Sequence, residues 1–328
     1  MSRLNVVLCG FGQIGRKMAL AIAESDDFEL AGVIDSDRTL VGEDAGKLLG
    51  LSDGPIIVPD VFGLPGEGEA DIALICTASS ADKVAELVRA FLKRPLPVVT
   101  SCEVFSALAA AHPELAAELD RAAKEAGVAV LGSGINPGFL MDELPALLMK
   151  ASRDIRSVRV ERVQDASTRR SQFQKKIGAG LTPEEFEAAR EAGTLRHVGL
   201  KESAWLLARS LGETLTDFTE TIEPVEAEEA LLLPNAIPVA AHQARGVRQI
   251  GHGKAGKVKI ELDFLAAIGE EKSFDRITIE GTPRIESTIE GGVNGDAGTV
   301  AVLLSAMKMV SKSSKIGLLS MTDLPVVP

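Results

Sequence analysis

Six residues, Gly10-Phe11-Gly12-Gln13-Ile14-Gly15, constrain this chain more than any others because of what flanks them. Leu4 to Cys9 reads as a buried strand. Ile14 to Ala23 carries apolar residues at helical spacing, with Arg16 and Lys17 on the other face. A strand that turns through glycines into a helix is the geometry of a dinucleotide loop. Gly10 permits the tight turn, Gly12 lets backbone approach a pyrophosphate, and Gly15 lets the helix pack closely, while the helix start offers unpaired N–H groups to phosphate.

The next apolar run, Phe28 to Ile34, ends at Asp35, 20 residues after Gly15. That spacing suits a carboxylate accepting hydrogen bonds from adenosine ribose hydroxyls. Asp35 repels a 2′-phosphate, whereas Arg38 is placed to neutralise one, so NAD is expected with NADP tolerated. Arg38 reads equally as a solvated loop cation. Further short apolar runs follow at Ile72 to Cys76, Val98 to Thr100 and Val128 to Leu131, with helical patterns at Ala81 to Phe91 and Pro113 to Ala126 between them. Alternating strands and helices imply a Rossmann-type, doubly wound parallel sheet with right-handed crossovers. Ligands of such sheets bind beyond the carboxyl ends of the strands, which places the small residues Thr77, Ala78 and Ser79 against the cofactor.

A chain of 328 residues exceeds the usual single core. Beyond Asn136 the pattern changes to long alternating strands, Ile155 to Gln164, Val258 to Phe264 and Asp275 to Glu280. Helices are expected at Met141 to Lys150, at Pro183 to Ala192 with Thr182 as N-cap, and at Glu202 to Leu211. This is α+β character. The breaker Gly291-Gly292-Val293-Asn294-Gly295 precedes a helix, Thr299 to Val310, apolar enough to dock on another core. The expected division is therefore a dinucleotide-binding domain of residues 1–135 plus 296–328, and a substrate and dimerisation domain of residues 136–295.

Net charge is −12, which disfavours nucleic acid and anionic membrane surfaces as partners. The opening apolar run is too short for a signal peptide or a spanning helix. Tyrosine is absent and Trp205 stands alone, which leaves no aromatic platform for stacking bases. Cys9, Cys76 and Cys102 make no disulfide framework, so a reducing cytoplasm is expected. His242 and His252, ten apart without carboxylate or thiol partners at ligand spacing, give no metal site.

Five stretches together carry a family resemblance: Gly10 to Gly15; Thr100-Ser101-Cys102-Glu103; Gly132-Ser133-Gly134-Ile135-Asn136-Pro137-Gly138-Phe139; Gly178 to Phe186; and His197-Val198-Gly199. They span nearly the whole length. The chain resembles the 2,4-diaminopentanoate dehydrogenase family and the related native amine dehydrogenases, whose N-terminal domain is shared with dihydrodipicolinate reductase. The resemblance implies an NAD(P)-dependent oxidoreductase that interconverts primary amines or diamino acids with ketones and ammonia, working as a homodimer. It makes Glu103 the catalytic carboxylate, holding the amine and shuttling protons, against the plainer reading of a glutamate at a helix start. Asn136 is implied to contact both the nicotinamide and the substrate, although asparagine before proline also serves turn geometry alone. Phe139 would wall the pocket or simply pack. Arg162 and Gln164, on one face of a strand, and His197 are implied substrate contacts. The family usually has asparagine where this chain has Gln164, so the pocket is expected to be reshaped.

Arg169-Arg170 and Lys175-Lys176 form the one basic cluster, read either as an anchor for a carboxylate or phosphate or as a solvated loop. Two other functions compete. A cyclic-imine reductase akin to dihydrodipicolinate reductase lacks support, because that family's histidine pair with a nearby lysine has no counterpart. A non-catalytic NAD(P)-sensing protein would need neither Glu103 nor the Asn136 loop.

Overall fold

The computed structural model describes residues 3–64, 69–77, 80–195 and 199–325. The chain divides into two compact units, Met1–Phe139 with Gly295–Pro328, and Leu140–Asn294. In chain order the first run holds β1 (Leu4–Cys9), α1 (Gln13–Ala23), β2 (Phe28–Ile34), α2 (Ala45–Leu48), β3 (Ile57–Val58), β4 (Ile72–Ile75), α3 (Ala81–Leu92), β5 (Val98–Thr100), α4 (Leu108–Ala111), α5 (Pro113–Ala126) and β6 (Ala129–Gly132). The second unit holds α6 (Glu143–Met149), β7 (Arg153–Asp165), α7 (Ser171–Lys176), α8 (Pro183–Glu191), α9 (Leu200–Ser210), β8 (Leu215–Glu226), β9 (Ala244–Ala255), β10 (Val258–Ala267), β11 (Phe274–Thr282) and β12 (Ile285–Glu290). The chain then returns to the first unit with α10 (Gly295–Lys312) and β13 (Gly317–Leu319).

The first unit is a seven-stranded sheet in the order β13-β6-β5-β4-β1-β2-β3. Every pairing is parallel. Its central strands are buried on both faces, so they read as continuous apolar runs rather than alternating ones. The strand order runs one way from β1 to β3 and the other way from β4 to β6, which puts a topological switch point at the carboxyl ends of β1 and β4. The α10 helix packs on β4, β5 and β6 and beside α1, with Leu303, Ala306 and Met307 fully buried.

The second unit is a mixed six-stranded sheet, β12-β11-β7-β10-β9-β8. Only the β7–β10 pair is parallel. Strand β7 alternates as its sequence requires: Val158, Val160, Arg162 and Gln164 are buried, and Arg159 and Glu161 face the other way. Helix α9 packs on β8, β9 and β10, and α6 on β7. Helix α8 starts at Pro183 behind a full capping box, in which the Thr182 hydroxyl accepts the Glu185 N–H and the Glu185 carboxylate accepts the Thr182 N–H. Helix α6 starts at Glu143, two residues later than its apolar pattern suggests, because the Asp142 side chain accepts the Glu143 N–H and caps it. Sequence patterning gives no strand over Leu215–Glu226 or Ala244–Ala255. The first is crowded with acidic and polar residues and the second carries Gly246, Gly251 and Gly253. Pairing makes both into sheet, β9 on the edge of β10 and β8 in turn on the edge of β9.

Candidate active site

The glycine loop is shaped by backbone crowding. Gly10 has φ +98°, and a Cβ there would lie 2.6 Å from the Cys76 carbonyl oxygen. A Cβ on Gly15 would lie 1.8 Å from the Gly10 carbonyl oxygen, so the turn and α1 meet backbone to backbone. Gly12 is the N-cap of α1, has open space where its Cβ would be, and makes no side-chain cap bond; no acidic residue occupies the first turn. The helix start therefore presents N–H groups and positive dipole to an uncrowded surface. Gln13 there is exposed, Ile14 half-buried and Phe11 buried.

Asp35 is locked in place. Its Oδ2 accepts the Phe11 N–H at 2.6 Å and its Oδ1 accepts the Asp37 N–H at 2.9 Å. Each oxygen keeps a further acceptor direction for a ribose hydroxyl. Arg16 clamps the loop from the other side, donating from Nε to the Phe11 carbonyl at 3.1 Å with its guanidinium 4.7 Å from the Phe11 ring centre. Arg38 is exposed just beyond Asp35, and Thr77 is exposed beside Gly10. Ala78 and Ser79 lie outside the described residues. An uncapped helix start, a cradle that a side chain at position 12 would fill, and an anchored carboxylate at the end of β2 fit the phosphates and ribose of a dinucleotide.

Glu103 and Asn136 end up on adjacent loops of the same sheet edge. The Thr100 hydroxyl, fully buried, donates to the Ile75 carbonyl at 3.2 Å and accepts the Cys102 N–H at 3.2 Å. This carries the chain over the end of β5, so that half-buried Glu103 opens a 3-10 turn, Glu103–Ala107. The neighbouring loop begins as the Ser133 N–H reaches the Thr100 carbonyl at 2.9 Å. Asn136 is buried there and joined to Pro137 by a cis peptide; Phe139 is half-buried. The Ser106 hydroxyl donates to the Pro137 carbonyl at 3.4 Å, tying the Glu103 turn to the Asn136 loop. The cysteines are not nucleophiles of this edge. Burial pushes the Cys9 and Cys76 thiols up to about 12, and Cys102 is buried.

Arg162 and Gln164 lie in the second unit, on the buried face of β7. Arg162 is 2% exposed, with Nη1 on the Asp275 carboxylate at 2.8 Å and Nη2 on the Val293 carbonyl at 2.9 Å. Burial lowers its pKa to about 10 despite Asp275, and burial raises that of Asp275. The Gln164 amide also donates to Val293 O, at 2.9 Å, and accepts from Arg169 Nη1 at 3.1 Å; Arg169 stacks on Phe173. Sequence pattern put these side chains on one face, and the structure adds the protein groups they bind. His197 lies outside the described residues. Among the described residues no group of three or more histidine, cysteine or acidic side chains could hold a metal, and no helix is long and apolar enough to cross a membrane.

Sequence reasoning missed the start of α10. Asp296 pairs with Lys17 of α1 at 2.8 Å, and the Thr299 hydroxyl oxygen accepts the Ile135 N–H at 3.4 Å, one residue before Asn136. The available signal was Gly295-Asp296-Ala297-Gly298-Thr299, a run of small residues opening an apolar helix.

Comparison with known proteins bears on the family and the fold. Residues 139–328 match the 2,4-diaminopentanoate dehydrogenase C-terminal domain, and residues 4–132 match the N-terminus of dihydrodipicolinate reductase. A 2,4-diaminopentanoate dehydrogenase from Acetoanaerobium sticklandii is 31% identical, covering 99% of this chain and 94% of that protein. An amine dehydrogenase from Streptomyces virginiae is 24% identical, covering 99% and 97%. The solved structure of an amine dehydrogenase from Mycobacterium smegmatis has a TM-score of 0.86 at 23% identity, covering 100% of this chain and 97% of that one, which establishes a shared fold.

Proposed function

The chain belongs to the 2,4-diaminopentanoate dehydrogenase family, and from that premise we propose that it is an NAD(P)-dependent amine dehydrogenase, interconverting a primary amine or diamino acid with the ketone and ammonia. One observation supports the reading: Glu103 and the Asn136 loop follow β5 and β6 at the same carboxyl edge of the sheet as the glycine loop after β1 and Asp35 after β2.

Gly10 to Gly15, with Phe11, Gln13 and Ile14, hold the pyrophosphate; Asp35 holds the adenosine ribose; Arg38 and Thr77 border the same groove, and Ala78 and Ser79 are candidates from the sequence alone. NAD is favoured slightly over NADP, because the Asp35 carboxylate repels a 2′-phosphate that exposed Arg38 neutralises only in part. The bound nicotinamide supplies hydride transfer to or from the amine carbon. Glu103 pairs with the substrate ammonium and takes the proton that must leave nitrogen before its lone pair can assist C–H cleavage. That proton passes to solvent, and once the iminium has formed the same carboxylate takes a proton from the attacking water, returns it to the departing nitrogen, and then takes the carbinolamine hydroxyl proton as ketone and ammonia leave. Asn136 orients the reacting carbon and Phe139 excludes water from it. Arg162, Gln164 and His197 are our candidates for substrate contacts in the second unit.

A homodimer is part of the proposal. The face of the six-stranded sheet opposite Val158 and Val160 carries both signs of charge: Arg159 bonds Glu161 at 3.1 Å and Glu261 at 3.2 Å, and Arg248 bonds Asp263 at 2.7 Å. A second copy related by a twofold axis would meet complementary charges there, and light scattering of the pure protein checks it.

Steady-state reduction of NAD and NADP across an amine panel, and the reverse reaction with ketones and ammonium, tests the reaction class. Glu103→Gln should leave folding and cofactor affinity intact while cutting saturating turnover by about 10²-fold, the scale of general acid–base work. A wild-type protein that turns over no amine in either direction, or a Glu103→Gln variant at full turnover, refutes this assignment.

A further inference from the structure

We propose that the first turns of α10 are a clasp that positions the Asn136 loop against the dinucleotide cradle, with Thr299 as the positioning residue. The inference rests on the reading above, in which Asn136 faces the nicotinamide. It adds a residue that touches neither cofactor nor substrate.

Thr299 donates its only hydroxyl proton to the Gly295 carbonyl at 2.7 Å, inside its own helix. The hydroxyl oxygen is thereby left as an acceptor, and it faces the Ile135 N–H at 3.4 Å, one residue before Asn136. Its methyl group lies 4.0 Å from where a side chain on Gly134 would begin, on the side of the loop that faces α10. From the same end of the helix Asp296, 9% exposed, reaches Lys17 Nζ at 2.8 Å, on the helix that begins at the glycine loop. One helix end therefore holds α1 with one side chain and the Asn136 loop with another. The end is stiff, because α10 is seated on β4, β5 and β6 through fully buried side chains. The Ser106 to Pro137 bond holds the loop two residues further on, and Thr299 holds it at Ile135.

The test compares Thr299→Val, which keeps the shape and removes the hydroxyl, with Thr299→Ser, which keeps the hydroxyl. Hydrogen exchange at the Ile135 amide is read with and without NADH. NADH affinity is read by fluorescence, and kcat and KM are read on the best amine with its α-deuterated form. In Thr299→Val, exchange at Ile135 should quicken about tenfold, the equivalent of one ordinary hydrogen bond. Saturating turnover should fall about tenfold with a larger isotope effect, while NADH affinity stays within about twofold, because misplacing a reacting group costs rate more than binding. Thr299→Ser should restore exchange and turnover. Lys17→Met, which cuts only the other arm, should leave Ile135 exchange unchanged. Unchanged Ile135 exchange in Thr299→Val, or equal losses in the valine and serine variants, overturns the clasp. Should Thr299→Val fail to fold, Thr299→Ala is read in the same way. If the wild-type protein oxidises no amine, the proposed function fails, while Ile135 exchange still decides the clasp.

Discussion

Replacing Glu143 with glutamine should stabilise this protein at alkaline pH and leave it unchanged near pH 4. Glu143 opens α6 at 6% exposure, next to Asp142, which is fully buried and accepts the Ser203 hydroxyl at 2.7 Å. Burial, with the neighbouring Asp142 charge second, pushes the Glu143 carboxyl up to about 8 from 4.5. The sign follows from proton counts. Below pH 4.5 both folded and unfolded chains hold the proton, and the contribution to stability is fully present. Between 4.5 and 8 only the folded chain holds it, so stability falls by about 1.4 kcal/mol per pH unit, or about 5 kcal/mol across the window. Ionised Glu143 regains about 1 kcal/mol from the start of α6, and water reaching the carboxylate regains more. The expected gain of Glu143→Gln at pH 9 is therefore about 2–3 kcal/mol, or about 5–10 °C in the melting of the second unit. Calorimetric melts of both proteins at pH 4.5, 7 and 9 measure it. A shift of equal size at every pH would mean that packing, not ionisation, separates the two side chains, and a less stable variant at pH 9 would refute the argument outright.

Asp35→Asn keeps an acceptor for the Phe11 N–H and removes the charge, so the ratio of NADP to NAD affinity should rise about tenfold, and Arg38→Ala should lower it; titrating both cofactors reads the ratio, which stays fixed if neither side chain senses the 2′ position. Gly15→Ala places a Cβ 1.8 Å from the Gly10 carbonyl oxygen and should cost about 3 kcal/mol or more together with NADH binding, checked by denaturant unfolding and fluorescence. Asp275→Ala strands the Arg162 guanidinium, buried with 2% of its side chain exposed, and should destabilise by about 3–5 kcal/mol; adding Arg162→Met should recover part of that loss, and an additive loss would show that the pair is not coupled.

The parallel sheet, its glycine turn and Asp35 were legible in the linear chain because each rests on local physics. Buried strands demand continuous apolar runs, helices demand a 3.6-residue period, and a backbone that meets backbone excludes any side chain at Gly10 and Gly15. Glu103 and the Asn136 loop were legible as a family pattern, and their approach to one another follows from β5 and β6 being neighbours. The partners of those groups were not legible. Arg162 shares a strand face with Gln164, as alternation requires, yet it is Asp275, 113 residues away, that takes its charge. Thr299 and Asp296 reach residues 164 and 279 positions distant. The glycine-bearing strand β9 exists because β10 offers it an edge to pair with, and the acidic strand β8 because β9 then offers one in turn, not because their own patterns demand a strand. Periodicity and turn chemistry act over a few residues and can be read in order along the chain, whereas burial, charge pairing and strand pairing depend on which distant segments the completed fold brings within a few ångströms.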